Sequence, residues 1–205
     1  MADSRSLLPA AVLFDMDGTL TEPMLDFPRI KREMGIGSRP ILEALAEMNG
    51  TARAAAEAVL LRHEEHAAGN STLNPGCREL LNWLSHHRIR MALITRNSRR
   101  SVEMVVARHG LELDILVTRE DGAFKPDPHP LRLACGKLAV GPHAAWMVGD
   151  GQYDVEAGTA AGIKTVWISH GRPRPFEAIP WREVRDLVQL RRMLEAAATA
   201  LQLGH

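Results

Sequence analysis

The sequence predicts an α/β protein built on a doubly wound parallel sheet, with a small helical insert after the first strand. Three observations predict it. Short apolar runs recur at Ala11–Phe14, Ile89–Thr95, Ile115–Thr118, Ala144–Gly149 and Thr165–Ile168, and unbroken runs of this length mark strands buried on both faces. Stretches with helical apolar spacing lie between them, the alternation that builds a parallel sheet with crossover helices. Between the first and second runs the chain carries only helix signals, as far as about Asn74.

Taken in order, a short polar leader over residues 1–9 precedes the first strand. A short helix is expected around Arg29–Met34. Ser38 is a plausible N-cap for a second helix, whose Ile41, Leu42, Leu45 and Met48 form one stripe. Asn49-Gly50 breaks it, and a third helix starts at Thr51 with Ala55, Ala56, Val59 and Leu60 inward, fading at Ala68-Gly69-Asn70. His63-Glu64-Glu65-His66 lacks the i, i+4 histidine spacing of a zinc helix and reads as a solvated helix end. These helices suggest a cap over residues 21–74, hinged near 20–23 and 72–76, on a core formed by 1–20 and 75–205.

Pro75 sits where a helix start tolerates proline, and Leu80, Leu81, Trp83 and Leu84 follow at helical spacing. Ser98 is placed to cap a helix bearing Val102, Val105 and Val106, which Gly110 stops. Further helices are expected over 128–139 and 153–161. Residues 171–180 are proline-rich and loop-like. Val184, Leu187, Val188, Leu190, Leu194 and Leu201 suggest a C-terminal amphipathic helix packed on its own core, with a dimer contact as the other use of such a face. The expected assembly is a monomer or homodimer.

Composition narrows the function. Lysine plus arginine equals aspartate plus glutamate, 25 each, over 205 residues, so no charge excess points to nucleic acid or an anionic membrane. No early apolar run approaches a membrane span, and no signal-peptide pattern opens the chain. A cytoplasmic location is the expectation. Cys77 and Cys135 are the two cysteines, expected as buried thiols. Only four lysines occur, one of them Lys125 in a loop.

The chemistry concentrates at Asp15-Met16-Asp17-Gly18-Thr19, where the first strand ends. Ligands of open α/β sheets bind at strand C-termini. Residues i and i+2 of an extended segment point the same way, so Asp15 and Asp17 are expected to be neighbours. Gly18 permits a tight bend. Two carboxylates ~4 Å apart at an effective dielectric of ~20 repel by about 4 kcal/mol. One is therefore protonated, or a cation lies between them. An ionised Asp15 can be a nucleophile and a protonated Asp17 a general acid; a turn whose aspartates merely cap backbone groups is the bland alternative.

The same stretch resembles the first motif of the haloacid dehalogenase (HAD) superfamily, and the remaining motifs follow in order. Leu93-Ile94-Thr95-Arg96-Asn97 resembles the second, Lys125-Pro126-Asp127-Pro128 the third and Val148-Gly149-Asp150-Gly151-Gln152-Tyr153-Asp154 the fourth. The insert after the first strand is similar to the helical C1-type cap of subfamily I, phosphoglycolate phosphatase-like and β-phosphoglucomutase-like members, though shorter than the usual four-helix version. The resemblance implies a Rossmann-like core and Mg2+-dependent hydrolysis of a small phosphorylated substrate through an aspartyl-phosphate. It implies Asp15 as nucleophile, Asp17 as acid/base, and metal ligands from the Asp15 and Asp150 carboxylates and the Asp17 carbonyl. Thr95, the amide of Arg96, Asn97 and Lys125 are implied as phosphate or substrate contacts. Gly18 and Thr19 support the loop, and Asp154 acts through a metal-bound water or by holding Lys125. The intact Asp17 favours phosphate-ester chemistry over carbon–halogen or carbon–phosphorus cleavage. A sugar-phosphate mutase is the second enzyme reading, and a phosphorylatable regulatory module the non-enzyme one.

Overall fold

The computed structural model describes residues 8–203; the expected leader falls mostly outside them. Six strands form one parallel sheet: β1 (Ala11–Phe14), β2 (Arg90–Ile94), β3 (Ile115–Val117), β4 (Ala145–Gly149), β5 (Lys164–Ile168) and β6 (Arg182–Val184), in spatial order β3-β2-β1-β4-β5-β6. The most apolar run, β1, is central. Its Phe14 is in register with Leu93 of β2 and Val148 of β4. The chain therefore leaves all three strands at one edge, within a residue or so of the same level.

Side-chain alternation divides the core in two. Val12 and Phe14 face a cluster with α4 (Cys77–His86), α5 (Arg99–His109) and α8 (Leu187–Leu203). Ala11 and Leu13 face a cluster with α6 (His129–Leu138) and α7 (Gln152–Ala161). Both faces are covered, which explains why these strands read as unbroken apolar runs. Cys77 and Cys135 are buried free thiols, and burial raises the pKa of both.

The helix-rich insert folds as α1 (Phe27–Met34), α2 (Ile41–Glu47) and α3 (Gly50–Asn70) around a third apolar cluster that includes Ile30, Leu42, Leu45 and Leu60. The chain segments entering and leaving it are laced together. Thr21 bridges antiparallel to Leu73, and Asn74 Nδ2 donates to the carbonyls of Thr19 and Thr21 at 2.8 and 2.9 Å.

Four local expectations are corrected. Ser38 is not the N-cap of α2; Pro40 is. Proline disfavours helical backbone in the residue before it, so the helix begins only after Pro40. Ala55 is exposed, whereas Ala56 and Leu60 face inward. Glu64 is not at a solvated helix end: α3 runs six residues further, and Glu64 is 2% exposed on the same stripe as Leu60. Val184 belongs to β6, paired with Ile168 of β5, and not to the final helix. Asp186 accepts from the amide of Gln189 at 2.8 Å, placing the start of that helix after it.

Candidate active site

The ends of β1, β2 and β4 supply Asp15, Thr95 and Asp150, and the loop before α6 brings in Lys125. Lys125 Nζ donates to Asp15 Oδ1 and to Asp154 Oδ1, both at 2.6 Å, with only 2% of its side chain exposed. Asp154 is held in turn: its Oδ2 accepts from the amide of Gly151 at 3.0 Å. Carboxylate oxygens of Asp15, Asp150 and Asp154 lie within 4.8 Å of one another. With Asp17 beside them, four carboxyl groups share one buried ammonium and the exposed Arg172 guanidinium, 3.8 Å from Asp150 Oδ2, so acidic groups outnumber cations in this half-buried pocket.

That imbalance shows in the acidities. Burial, the nearness of Asp154 and Asp150, and the opposing pull of Lys125 leave the Asp15 carboxyl at about 7. Burial and Asp15 raise Asp17 to about 7, against a hydrogen bond from Asn97. Burial and Asp154 raise Asp150 to about 6. Lys125 moves up, because Asp15 and Asp154 outweigh its burial.

Backbone geometry allows this crowding. Gly18 has φ +78°, and a Cβ there would lie 2.3 Å from Asp150 Oδ2. At Gly149 a Cβ would lie 2.2 Å from the Asp154 carboxylate. Gly149→Ala is expected to push Asp154 off Lys125 while leaving β4 in place. An ångström-scale displacement of such a group lowers turnover about 100-fold, and overpacking destabilises by roughly 1–3 kcal/mol. Steady-state kinetics and thermal unfolding check both.

The other expected site residues are placed as follows. Asn97 Nδ2 donates to Asp17 Oδ2 at 2.6 Å, so Asn97 orients an aspartate. The Thr95 hydroxyl accepts from the Asn97 amide at 3.2 Å, which leaves its proton available to a ligand. Thr19 is fully buried with its hydroxyl unpartnered. The Gly18 carbonyl lies 2.6 Å from His170 Nε2. The Arg96 side chain is held by the inserted helices and the lysine loop. Its guanidinium donates to Glu43 of α2 at 2.7 and 3.0 Å and to the Lys125 carbonyl, and it lies between the rings of Phe124 and Tyr153, 4.7 and 4.4 Å from their centroids.

Glu43 and Glu64 carry no sequence motif. Glu64 accepts from Arg119 and from the Ser98 amide at 3.2 Å, docking α3 on the N-terminus of α5. Its one sequence signal is its helical register with Leu60. The carboxylates, Thr95, Lys125 and Glu64 line a cavity of about 430 Å³ whose upper wall comes from the inserted helices and the loop before them.

A sequence profile described as haloacid dehalogenase-like hydrolase matches residues 24–168. The chain belongs to this family. It is 33% identical over 193 residues to the N-acetylmuramic acid 6-phosphate phosphatase of Pseudomonas aeruginosa, covering 80% of this chain and 84% of that protein. It is 32% identical over 196 residues to a plasmid phosphoglycolate phosphatase of Cupriavidus necator, covering 83% and 85%. A hydrolase from Pseudomonas syringae shares the fold with a TM-score of 0.76 at 19% identity, covering 91% and 98% of the two chains. Within this HAD-like hydrolase the profile match begins after β1, so the case for Asp15 and Asp17 rests on their geometry. No helix among the described residues is long and apolar enough to cross a membrane.

Proposed function

We propose that the protein is a Mg2+-dependent phosphomonoester hydrolase, phosphoglycolate phosphatase-like, that works through an aspartyl-phosphate on Asp15. The convergence of Asp15, Asp150 and Asp154 on Lys125 carries the reading. The residual negative charge and the all-oxygen donor set fit a hard divalent cation. Asp15 and Asp150, with the main-chain carbonyl of Asp17, would hold Mg2+; Asp154, with one oxygen on Lys125 and the other on the Gly151 amide, serves the lysine. When bound, the ion offsets the repulsion between a phosphate dianion and the Asp15 carboxylate.

An Asp15 oxygen attacks phosphorus, and the bond to the ester oxygen breaks. Asp17 gives its proton to that oxygen, and the alcohol leaves. Asp17, now ionised, takes a proton from water attacking the aspartyl-phosphate, which releases phosphate and restores Asp15. Lys125, the Thr95 hydroxyl and the Arg96 amide stabilise the phosphoryl oxygens. The inserted helices act as a small cap over the site, excluding water. Substrate is a small phosphorylated metabolite, and a cytoplasmic location is the reading consistent with it.

Phosphate release from small phosphate esters, with Mg2+ and then with EDTA, tests this. Activity lost with EDTA and restored by Mg2+ is expected. Glucose 6-phosphate accumulating from glucose 1-phosphate without free phosphate would replace the reading with a mutase.

The acidities add a pH prediction. Asp17 must carry a proton in the first step, so kcat/KM falls as pH rises through its pKa. The Asn97 hydrogen bond favours the ionised form. Asn97→Ala removes it, and the alkaline limb moves to higher pH. A bound divalent ion shifts wild type and variant alike downward, so the pH difference between their profiles is the readout.

A further inference from the structure

We propose that Glu43 sets the specificity of this site: by binding Arg96 it leaves the substrate side of the cavity without a free guanidinium, so the site takes phosphomonoesters with an uncharged, largely apolar body and rejects those with a second anionic group. The inference rests on the phosphomonoesterase reading and narrows it: the catalytic floor is phosphoglycolate phosphatase-like, but 2-phosphoglycolate itself falls among the poor substrates.

The cavity has two unlike halves. Its floor holds the carboxylates, Lys125 and Thr95, enough to engage one phosphate. Opposite lie Leu25, Phe27, Ile41, Leu42 and Leu60. An ester whose body is apolar covers this wall and displaces its water, which favours binding. A short carboxylated body such as that of 2-phosphoglycolate would leave most of the wall wet and its own carboxylate facing aliphatic carbon.

Arg96 is the one arginine lining the cavity. Glu43 holds one of its amino groups with both carboxylate oxygens, the other donates to the Lys125 carbonyl, and the guanidinium carbon lies 4.7 and 4.4 Å from the ring centroids of Phe124 and Tyr153. Arg29 and Arg39 are paired with Glu33 and Glu47 and do not line the cavity; nor does the exposed Arg32. Lys31 does, and it donates to the Ser38 carbonyl at 3.1 Å. Glu64, the remaining ionisable group on the cap side, is acidic and already paired with Arg119. Lys31 is thus the one ammonium of the upper wall, and a second anion held beyond its reach would be buried against aliphatic carbon with no cation to pair with.

Benzyl phosphate and 4-carboxybenzyl phosphate differ by one carboxylate and share a benzylic leaving group. With Mg2+, wild type is expected to favour benzyl phosphate by about 10-fold or more in kcat/KM, mainly through KM. In Glu43→Gln the released guanidinium should raise kcat/KM for the carboxylated ester several-fold, with little change for benzyl phosphate. Equal or better use of the carboxylated ester by wild type overturns the proposal, and does not depend on any variant folding. If Lys31→Gln abolishes such a preference, Lys31 reads the anion instead, and the proposal again fails. An unchanged ratio in folded Glu43→Gln removes Glu43 from the role. No phosphate from either ester or from any of the panel overturns the hydrolase reading itself.

Discussion

Asp15→Asn is expected to abolish turnover while making the metal-free protein more stable. The amide keeps the shape of the side chain but is not a nucleophile, and loss of a covalent nucleophile lowers kcat by roughly 10⁵-fold or more. Stability moves the other way. Burial and the neighbouring aspartates raise Asp15 from 3.8 to about 7 in the fold. A carboxyl with a raised native pKa disfavours the folded state once pH exceeds its unfolded value, and the penalty grows until the native pKa is passed. The neutral amide escapes it. The variant should melt higher than wild type at pH 7–8 in EDTA, with the gain vanishing towards pH 4. Mg2+ should narrow the gap, because on the proposed reading the carboxylate at position 15 is a ligand and an amide there is a poor one. Phosphate release and melting curves across pH check both halves, and turnover retained in contaminant-free Asp15→Asn would remove it as nucleophile.

Lys125→Met should damage both properties. The lysine is the ammonium shared by Asp15 and Asp154, and it is almost fully buried. Methionine of similar length fills the space without charge and leaves the carboxylates facing one another. Removing one partner of a buried pair destabilises by about 3–5 kcal/mol. On the proposed reading Lys125 is also a preorganised donor to the transferring phosphoryl group, and losing such a donor removes about 3–4 kcal/mol of transition-state stabilisation, a fall of roughly 10²–10³-fold in kcat. Millimolar Mg2+ should recover part of the stability by neutralising the aspartates. It should not recover turnover, because the ammonium beside Asp15, the proposed nucleophile, is still missing. Thermal unfolding with and without Mg2+ separates the two effects.

Much of this was legible in the sequence. The five apolar runs became β1 to β5, because strands buried on both faces need continuous apolar residues. Asp15, Thr95 and Asp150 follow the strands that proved to be adjacent, so their meeting follows from the topology. Other features had no comparable signal. β6 has three residues, two of them charged and exposed, and depends on pairing with β5. Glu64 stood among charged and histidine neighbours that resembled a solvated surface; only its register with Leu60 pointed inward. Arg96 was expected to contribute its amide, and nothing local indicated that its side chain would reach Glu43.

Sequence by itself determined where the first five strands run, which aspartates follow β1 and β4 and that a helical insert follows the first strand. Burial is periodic along a strand or helix, so local pattern records it. Tertiary structure decided the pairing of charges: it sets Lys125 between Asp15 and Asp154, one of the two roles the resemblance implies for Asp154, and it alone sets Arg96 on Glu43 and Arg119 on Glu64. A charged side chain takes the opposite charge that packing brings within about 3 Å, and the partners here are 29 to 110 positions apart. No local spacing encodes that choice, yet it sets the acidity of the floor of the cavity and the cations left free in its wall.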